Sequence, residues 1–167
     1  MIKRHADLIK KNVDDNKQFE ELFQKYILDK FSIEIDKHPN NFKLYDFYYN
    51  KNIKIEYKGI YYTLNSTDNT ATNYKNTVIN SVMISKHKIS YYKSRKIKNP
   101  NLKFYLFYGF YDVVNYEVKK ITIRFIDITD KLDDIIINCR TVLYENIKQY
   151  LLPIIDLKKP NKFMFIQ

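Results

Sequence analysis

Glycine is nearly absent from this chain. There are 2 in 167 residues, beside 4 prolines, so a glycine-rich phosphate loop of the P-loop or Rossmann kind cannot be built. The single cysteine, Cys139, excludes an internal disulfide. With His5, His38 and His87 scattered along the chain it offers no zinc-finger spacing. Cys139 is therefore expected to be a buried, small apolar residue. No apolar run approaches the roughly 18 residues that a membrane span requires. The opening Met1-Ile2-Lys3-Arg4-His5 leads into no signal-like apolar segment. These absences predict a cytoplasmic protein with no membrane partner. One further absence is local: from Asn69 to Tyr111 there is no Asp or Glu at all.

What is present is a hydrophobic fraction of 45% with 29% charged residues, ordinary for a globular chain and enough for one domain spanning residues 1–167. The net charge is +10. An AT-rich codon supply, visible in the load of Lys, Ile, Asn and Tyr, explains part of it. It would supply Asp and Glu codons too, so it does not explain a segment holding Lys75, Lys86, Lys88, Lys93, Arg95, Lys96, Lys98 and Lys103 without a counter-charge. Clustered cations of this kind are the footprint of phosphate-backbone binding. The 16 Tyr and 11 Phe serve the core first, and stacking on unpaired bases second.

In chain order, residues 1–13 are basic and weakly periodic. Asp14-Asp15-Asn16 predicts a helix N-cap. Phe19, Leu22, Phe23, Tyr26 and Ile27 then form the apolar stripe of a helix of about four turns. Glu20 and Glu21 sit at its edge, either solvated or available as an accessory acid. Phe31 to Asp36 alternates as a strand, and His38-Pro39-Asn40-Asn41 reads as a loop. Residues 45–49 and 53–58 pair as a hairpin about Asn50-Lys51-Asn52, and Ile60 to Leu64 could prolong its second strand. Asn65 to Asn76 is polar and aperiodic, a loop long enough to be functional. Thr77 to Lys93 predicts a second helix with Ile79, Val82, Met83 and Ile89 inward. Leu102 to Phe110 reads as a central strand buried on both faces, Lys119 to Ile128 as its neighbour. Leu132 to Tyr150 has helical spacing and ends at Pro153, and the tail 161–166 reads as a last strand. The class is α/β, an α+β mixed sheet flanked by helices.

The hairpin carries the chemistry. In its second strand Ile53, Ile55 and Tyr57 point one way and Lys54, Glu56 and Lys58 the other. Glu56 and Lys58 therefore share a face, about 7 Å apart at a rise of about 3.3 Å per residue. Asp46 falls opposite them in the simplest register. Two carboxylates and a lysine converging on one point suit a hard divalent cation and a phosphate, the constellation of a metal-dependent phosphodiesterase. Asp46 and Glu56 are the expected ligands, with the Tyr57 backbone carbonyl beside them. Lys58 is expected to hold the attacking water. The bland reading is a solvent-facing hairpin with ordinary charges.

Asp46, nine intervening residues and then Glu56-Tyr57-Lys58 resemble the motif of the PD-(D/E)xK nuclease superfamily. Asn80-Ser81-Val82-Met83-Ile84-Ser85-Lys86-His87-Lys88 is similar to a helix of its small PvuII-like type II restriction endonucleases. The aromatic strand, its neighbour and the closing helix follow in the same order. The resemblance covers roughly residues 40–150. It implies a restriction-endonuclease-like core and a homodimer that cuts double-stranded DNA with Mg²⁺, Mn²⁺ being able to substitute. It also implies that Lys75, Asn76 and Thr77, just before the second helix, face the major groove; Asn73, Lys86, His87, Lys88, Lys93 and Arg95 are further expected DNA contacts. The chain departs from the pattern where Tyr45 replaces the proline of the superfamily name. Asn76 and Thr77 stand where base-reading histidines would, His87 replaces a tyrosine, and the loop 59–74 is longer. Asn reads adenine and Lys guanine, so a different target site is expected. The rival expectations are a homing endonuclease or Holliday-junction resolvase of the same fold, a non-catalytic basic DNA-binding module, and an RNA-processing nuclease.

Overall fold

The computed structural model describes residues 2–39, 44–65, 67–114 and 117–166. It falls into two compact units, residues 1–35 and residues 36–167. The expected loop residues Asn40 and Asn41, and Ser66 within the expected loop 65–76, lie outside the described residues.

The first unit is one long helix, α1 (Ile2–Phe31). It starts well before Asp14-Asp15-Asn16, which lie within it and not at its N-terminus as expected. Its buried positions Phe19, Phe23, Ile27 and Phe31 recur every four residues, one stripe of a 3.6-residue helix. Leu22, expected in that stripe, is exposed. The same spacing carries the helix through Phe31, overriding the alternation that predicted a strand over 31–36. It ends at Ser32, which takes a left-handed φ of 56° and donates its N–H to the Leu28 carbonyl at 2.9 Å, a helix-terminating device. Gln24 Nε2 then donates to the Ile35 carbonyl at 2.8 Å.

The second unit is mixed α/β about a central mixed sheet, as expected. That sheet has five strands in the order β1-β2-β3-β8-β9. They are β1 (Asp36–Lys37), β2 (Phe47–Tyr49), β3 (Ile53–Ile60), β8 (Lys103–Val114) and β9 (Glu117–Asp127). The predicted β2–β3 hairpin forms, with Phe47 opposite Ile55 and Tyr49 opposite Ile53. Its turn places Asn50 at φ 46°, and the Asn50 side chain accepts the Asn52 N–H at 2.8 Å, the local bonding that makes Asn a turn residue. β8 runs parallel to β3 and antiparallel to β9. Phe104 through Tyr111 are buried, matching the expected interior strand.

The two glycines are opposite each other in the parallel ladder, Gly59 against Gly109. A Cβ at Gly109 would collide with the Tyr57 hydroxyl, which meets the Tyr111 hydroxyl in a hydrogen bond there. Glycine is needed at 109 to leave that space.

Between β3 and β8 the reading changes most. Residues 63–79 hold a small antiparallel sheet of β4 (Thr63–Asn65), β5 (Thr70–Thr72) and β6 (Val78–Ile79), so Thr63 and Leu64 belong to a separate strand and not to a prolonged β3, and β5 lies within the expected loop 65–76. The helix predicted from Thr77 begins only at Lys86. Before it runs β7 (Ser81–Ser85), and α2 is Lys86–Lys98. β-Branched Val78, Ile79, Val82 and Ile84 favour extended backbone, and Val82, Ile84 and Ile89 are buried. Residues 80–88, compared above with a family helix, are thus a strand and a first helical turn.

The predicted third helix is likewise cut short. α3 (Leu132–Asn138) is followed by β10 (Thr141–Tyr144) and β11 (Ile147–Pro153). Glu145 and Asn146 both have positive φ, 50° and 64°, the conformation of a two-residue hairpin turn. β11 also pairs with β7, and that long-range partner decides against the helix. Residues 162–165 form a 3₁₀ turn, not the expected strand. Cys139 is only half-buried, packed against the core.

One core joins Ile89 and Tyr92 of α2, Leu132 and Ile135 of α3, and Phe104, Leu106, Tyr108 and Phe110 of β8. Tyr92 stacks on Phe104 with centroids 4.6 Å apart. Among the described residues no helix is long and apolar enough to cross a membrane.

Candidate active site

The site is built on the hairpin and the parallel strand pair. In β3 burial alternates from Ile53 to Lys58, so Lys54, Glu56 and Lys58 share the face predicted for them. Asp46 stands one residue before β2, past the last register pair Phe47–Ile55, and its carboxylate is close enough to Glu56 for its charge to raise that acid. The Asp46 N–H donates to the Ile55 carbonyl at 2.9 Å while its own carbonyl accepts the His38 N–H at 2.9 Å, so its main-chain groups leave on opposite edges and the regular ladder stops at Phe47. The buried Asp46 carboxylate turns inward and accepts the Tyr57 N–H on Oδ2 at 2.8 Å. A main-chain donor in the next strand thus orients the first acid. Both main-chain groups of a strand residue leave on the same edge, so the Tyr57 carbonyl also faces the Asp46 side.

Glu56 lies at the centre. Burial, and after it the adjacent Asp46 carboxylate, push its carboxyl up to about 8, against the pull of Lys88. The Lys88 ammonium forms an ion pair with Glu56 Oε1, while Oε2 is buried with no hydrogen-bond partner. Burial lowers the Lys58 ammonium, Lys88 lowers it further, and Glu56 and Glu145 raise it again. The hydroxyls of Tyr92 and Tyr108 are both pushed upward, first by burial and then by the Glu56 charge. These phenols are fixed as donors, Tyr92 to the Leu44 carbonyl at 2.7 Å and Tyr108 to the Met83 carbonyl at 3.1 Å.

The donor set is oxygen only, with two adjacent carboxylates, one of them holding an orphaned buried oxygen. That chemistry fits a hard divalent cation. Among the described residues no group of three or more His, Cys, Asp or Glu side chains could hold a metal ion. The two acids would therefore need the Tyr57 carbonyl, solvent and substrate oxygens to complete a shell, as Mg²⁺ sites commonly do.

The remaining expected residues fall on several elements. Glu20 and Glu21 lie on α1 in the first unit. Asn73, Lys75, Asn76 and Thr77 belong to the β5–β6 turn, separated from α2 by β6 and β7. There Asn73 Oδ1 accepts the N–H groups of Lys75 at 3.0 Å and Thr77 at 2.8 Å. Lys86 and His87 are exposed at the start of α2. Lys93 pairs with Asp133 at 2.7 Å, and Arg95 Nε donates to the Tyr91 hydroxyl at 3.0 Å. The basic segment thus receives counter-charges from elsewhere in the chain. Lys88, expected to contact DNA, stands with Asp46, Glu56 and Lys58, paired to Glu56. On α2 it lies four residues before the buried Tyr92 and so shares a face with it, but no local spacing pairs it with Glu56.

Compared with protein-family models, curated proteins and solved structures, the chain matches none.

Proposed function

We propose that this chain is a Mg²⁺-dependent, sequence-specific double-stranded DNA endonuclease of the PD-(D/E)xK type, with a restriction-endonuclease-like core and acting as a homodimer. The observation that carries this reading is the juxtaposition of the Asp46 and Glu56 carboxylates beside Lys58. Solvated hairpin charges do not bury a carboxylate against a carboxylate. In this reading Asp46 and Glu56, with the Tyr57 carbonyl, would hold the cation. A bound divalent ion acidifies water and neutralises a phosphodiester. Lys58 orients the attacking water and offsets charge gathering on the phosphorus. Tyr57, through its N–H, keeps Asp46 aimed. The exposed Lys75, Lys86 and His87 contact the DNA backbone or bases.

A second reading has one observation in its favour. Lys88 already pairs with Glu56, as it would in a basic DNA-binding module whose acids are structural. One experiment separates them. The protein is incubated with long mixed-sequence DNA and Mg²⁺, and the fragment ends are sequenced. We expect cuts at a fixed short sequence, and a loss of at least about a thousandfold in rate for Asp46→Ala, comparable to losing a principal electrostatic contributor, with cooperative melting retained. Salt-sensitive binding without Mg²⁺-dependent product would establish the second reading instead. Structure-selective nicking of four-way junctions would point to a resolvase.

A further inference from the structure

We infer that Lys88 is a resident counter-ion, holding the place of the divalent cation in the cation-free protein, so that cation binding and the Lys88–Glu56 ion pair compete. The inference rests on the proposed metal site and assigns the device that regulates its filling. Lys88 comes from a different element, the first turn of α2, and crosses 32 positions of sequence to reach Glu56. Its side chain keeps 23% exposure against 12% for Glu56, so the acid is fixed inside while the lysine retains a route to solvent. It satisfies Oε1 and leaves Oε2 without a partner, an incomplete neutralisation that an oxygen-seeking ion could improve.

The charges point the same way. Asp46 and Glu56 face the ammoniums of Lys58 and Lys88, and Lys88 is the cation in direct contact with Glu56. A divalent ion added to that set would crowd three cationic centres together. Lys88, on a flexible four-carbon stem, is the one free to move, whereas Asp46 is tied to the Tyr57 N–H. Displaced, Lys88 stays on the rim of the site and joins Lys58 on the scissile phosphate. Other cations of the segment behave differently. Lys93 and Lys96 pair with the exposed Asp133 and Asp130, so pairing with a buried acid is particular to Lys88 among them.

The test is calorimetric titration of Mn²⁺ into the full chain without DNA. The wild type is compared with Lys88→Met, Lys88→Arg and Lys93→Met. Loss of the competitor should tighten Mn²⁺ binding at least about tenfold in Lys88→Met, while Lys88→Arg and Lys93→Met stay within about threefold of the wild type. Without metal, Lys88→Met should melt below the wild type, and saturating Mn²⁺ should close most of the gap. Should Lys88→Met give no cooperative melt, Lys88→Gln is read by the same criteria. Unchanged or weaker affinity in the variant, with the wild type binding Mn²⁺, overturns the role of Lys88 alone. A wild type that binds no Mn²⁺ and cuts no DNA overturns the metal site as well.

Discussion

Glu56 is held in place by opposing forces. Water exclusion and Asp46 favour its neutral form, and Lys88 favours its anion, with the first two prevailing. The consequence for stability has a definite sign. A carboxyl raised from 4.5 to about 8 on folding contributes stability that is complete below the lower value and is lost as pH rises through the upper one. In the absence of divalent cations the urea midpoint should therefore fall between pH 5 and pH 9. Glu56→Gln, which keeps the shape and cannot ionise, should flatten that decline. A wild-type midpoint independent of pH would show that Glu56 is already ionised and solvated. Cation binding must expel the same proton, so Mn²⁺ affinity should rise with pH up to about 8.

Among the elements, the β5–β6 turn is exposed from Tyr74 to Thr77. Asn76 has a left-handed φ of 63°. Asn73 supplies one oxygen to two N–H groups and closes the turn through its own main chain, its N–H donating to the Thr77 carbonyl at 3.0 Å. A turn braced in this way holds Lys75 outward at little entropic cost on binding. In the proposed function, Lys75→Ala should lower the slope of log affinity against log salt by about one, the share of a single phosphate contact. Asn73→Ala should weaken binding without changing that slope, since it loosens the presentation and leaves the charge. Fluorescence anisotropy on duplex DNA with Ca²⁺ measures both. An unchanged slope in Lys75→Ala would remove this turn from the DNA surface. The basic end of α2 has a structural role as well. Arg95, Lys96 and Lys98 occupy its last turn, where cations complement the helix dipole, and Lys96 Nζ donates to the Pro100 carbonyl at 2.9 Å.

At the scale of the whole molecule, the proposed homodimer needs a surface that matches its own copy. β10 is an edge of its sheet, exposed along its length, with Leu143 at 76%. An apolar edge strand is a pairing template, and antiparallel pairing of β10 with itself is self-complementary about a two-fold axis. Sedimentation velocity should find a dimer for the wild type and a monomer for Leu143→Lys. A wild-type monomer across micromolar concentrations would refute the arrangement. The sequence alone determined the features that short-range rules govern. These are the hairpin about Asn50-Lys51-Asn52, the shared face of Glu56 and Lys58, the apolar repeat through Phe19, Phe23 and Ile27, and the buried strand before Tyr111. Tertiary structure decided the remainder. Whether 81–85 and 147–153 were strand or helix depended on each finding the other across more than sixty residues, because short apolar runs satisfy either period and only a pairing partner selects one. Lys88 was legible as a charge and not as a neighbour of Glu56, since a contact between a helix and a distant strand is set by packing, which no local spacing encodes.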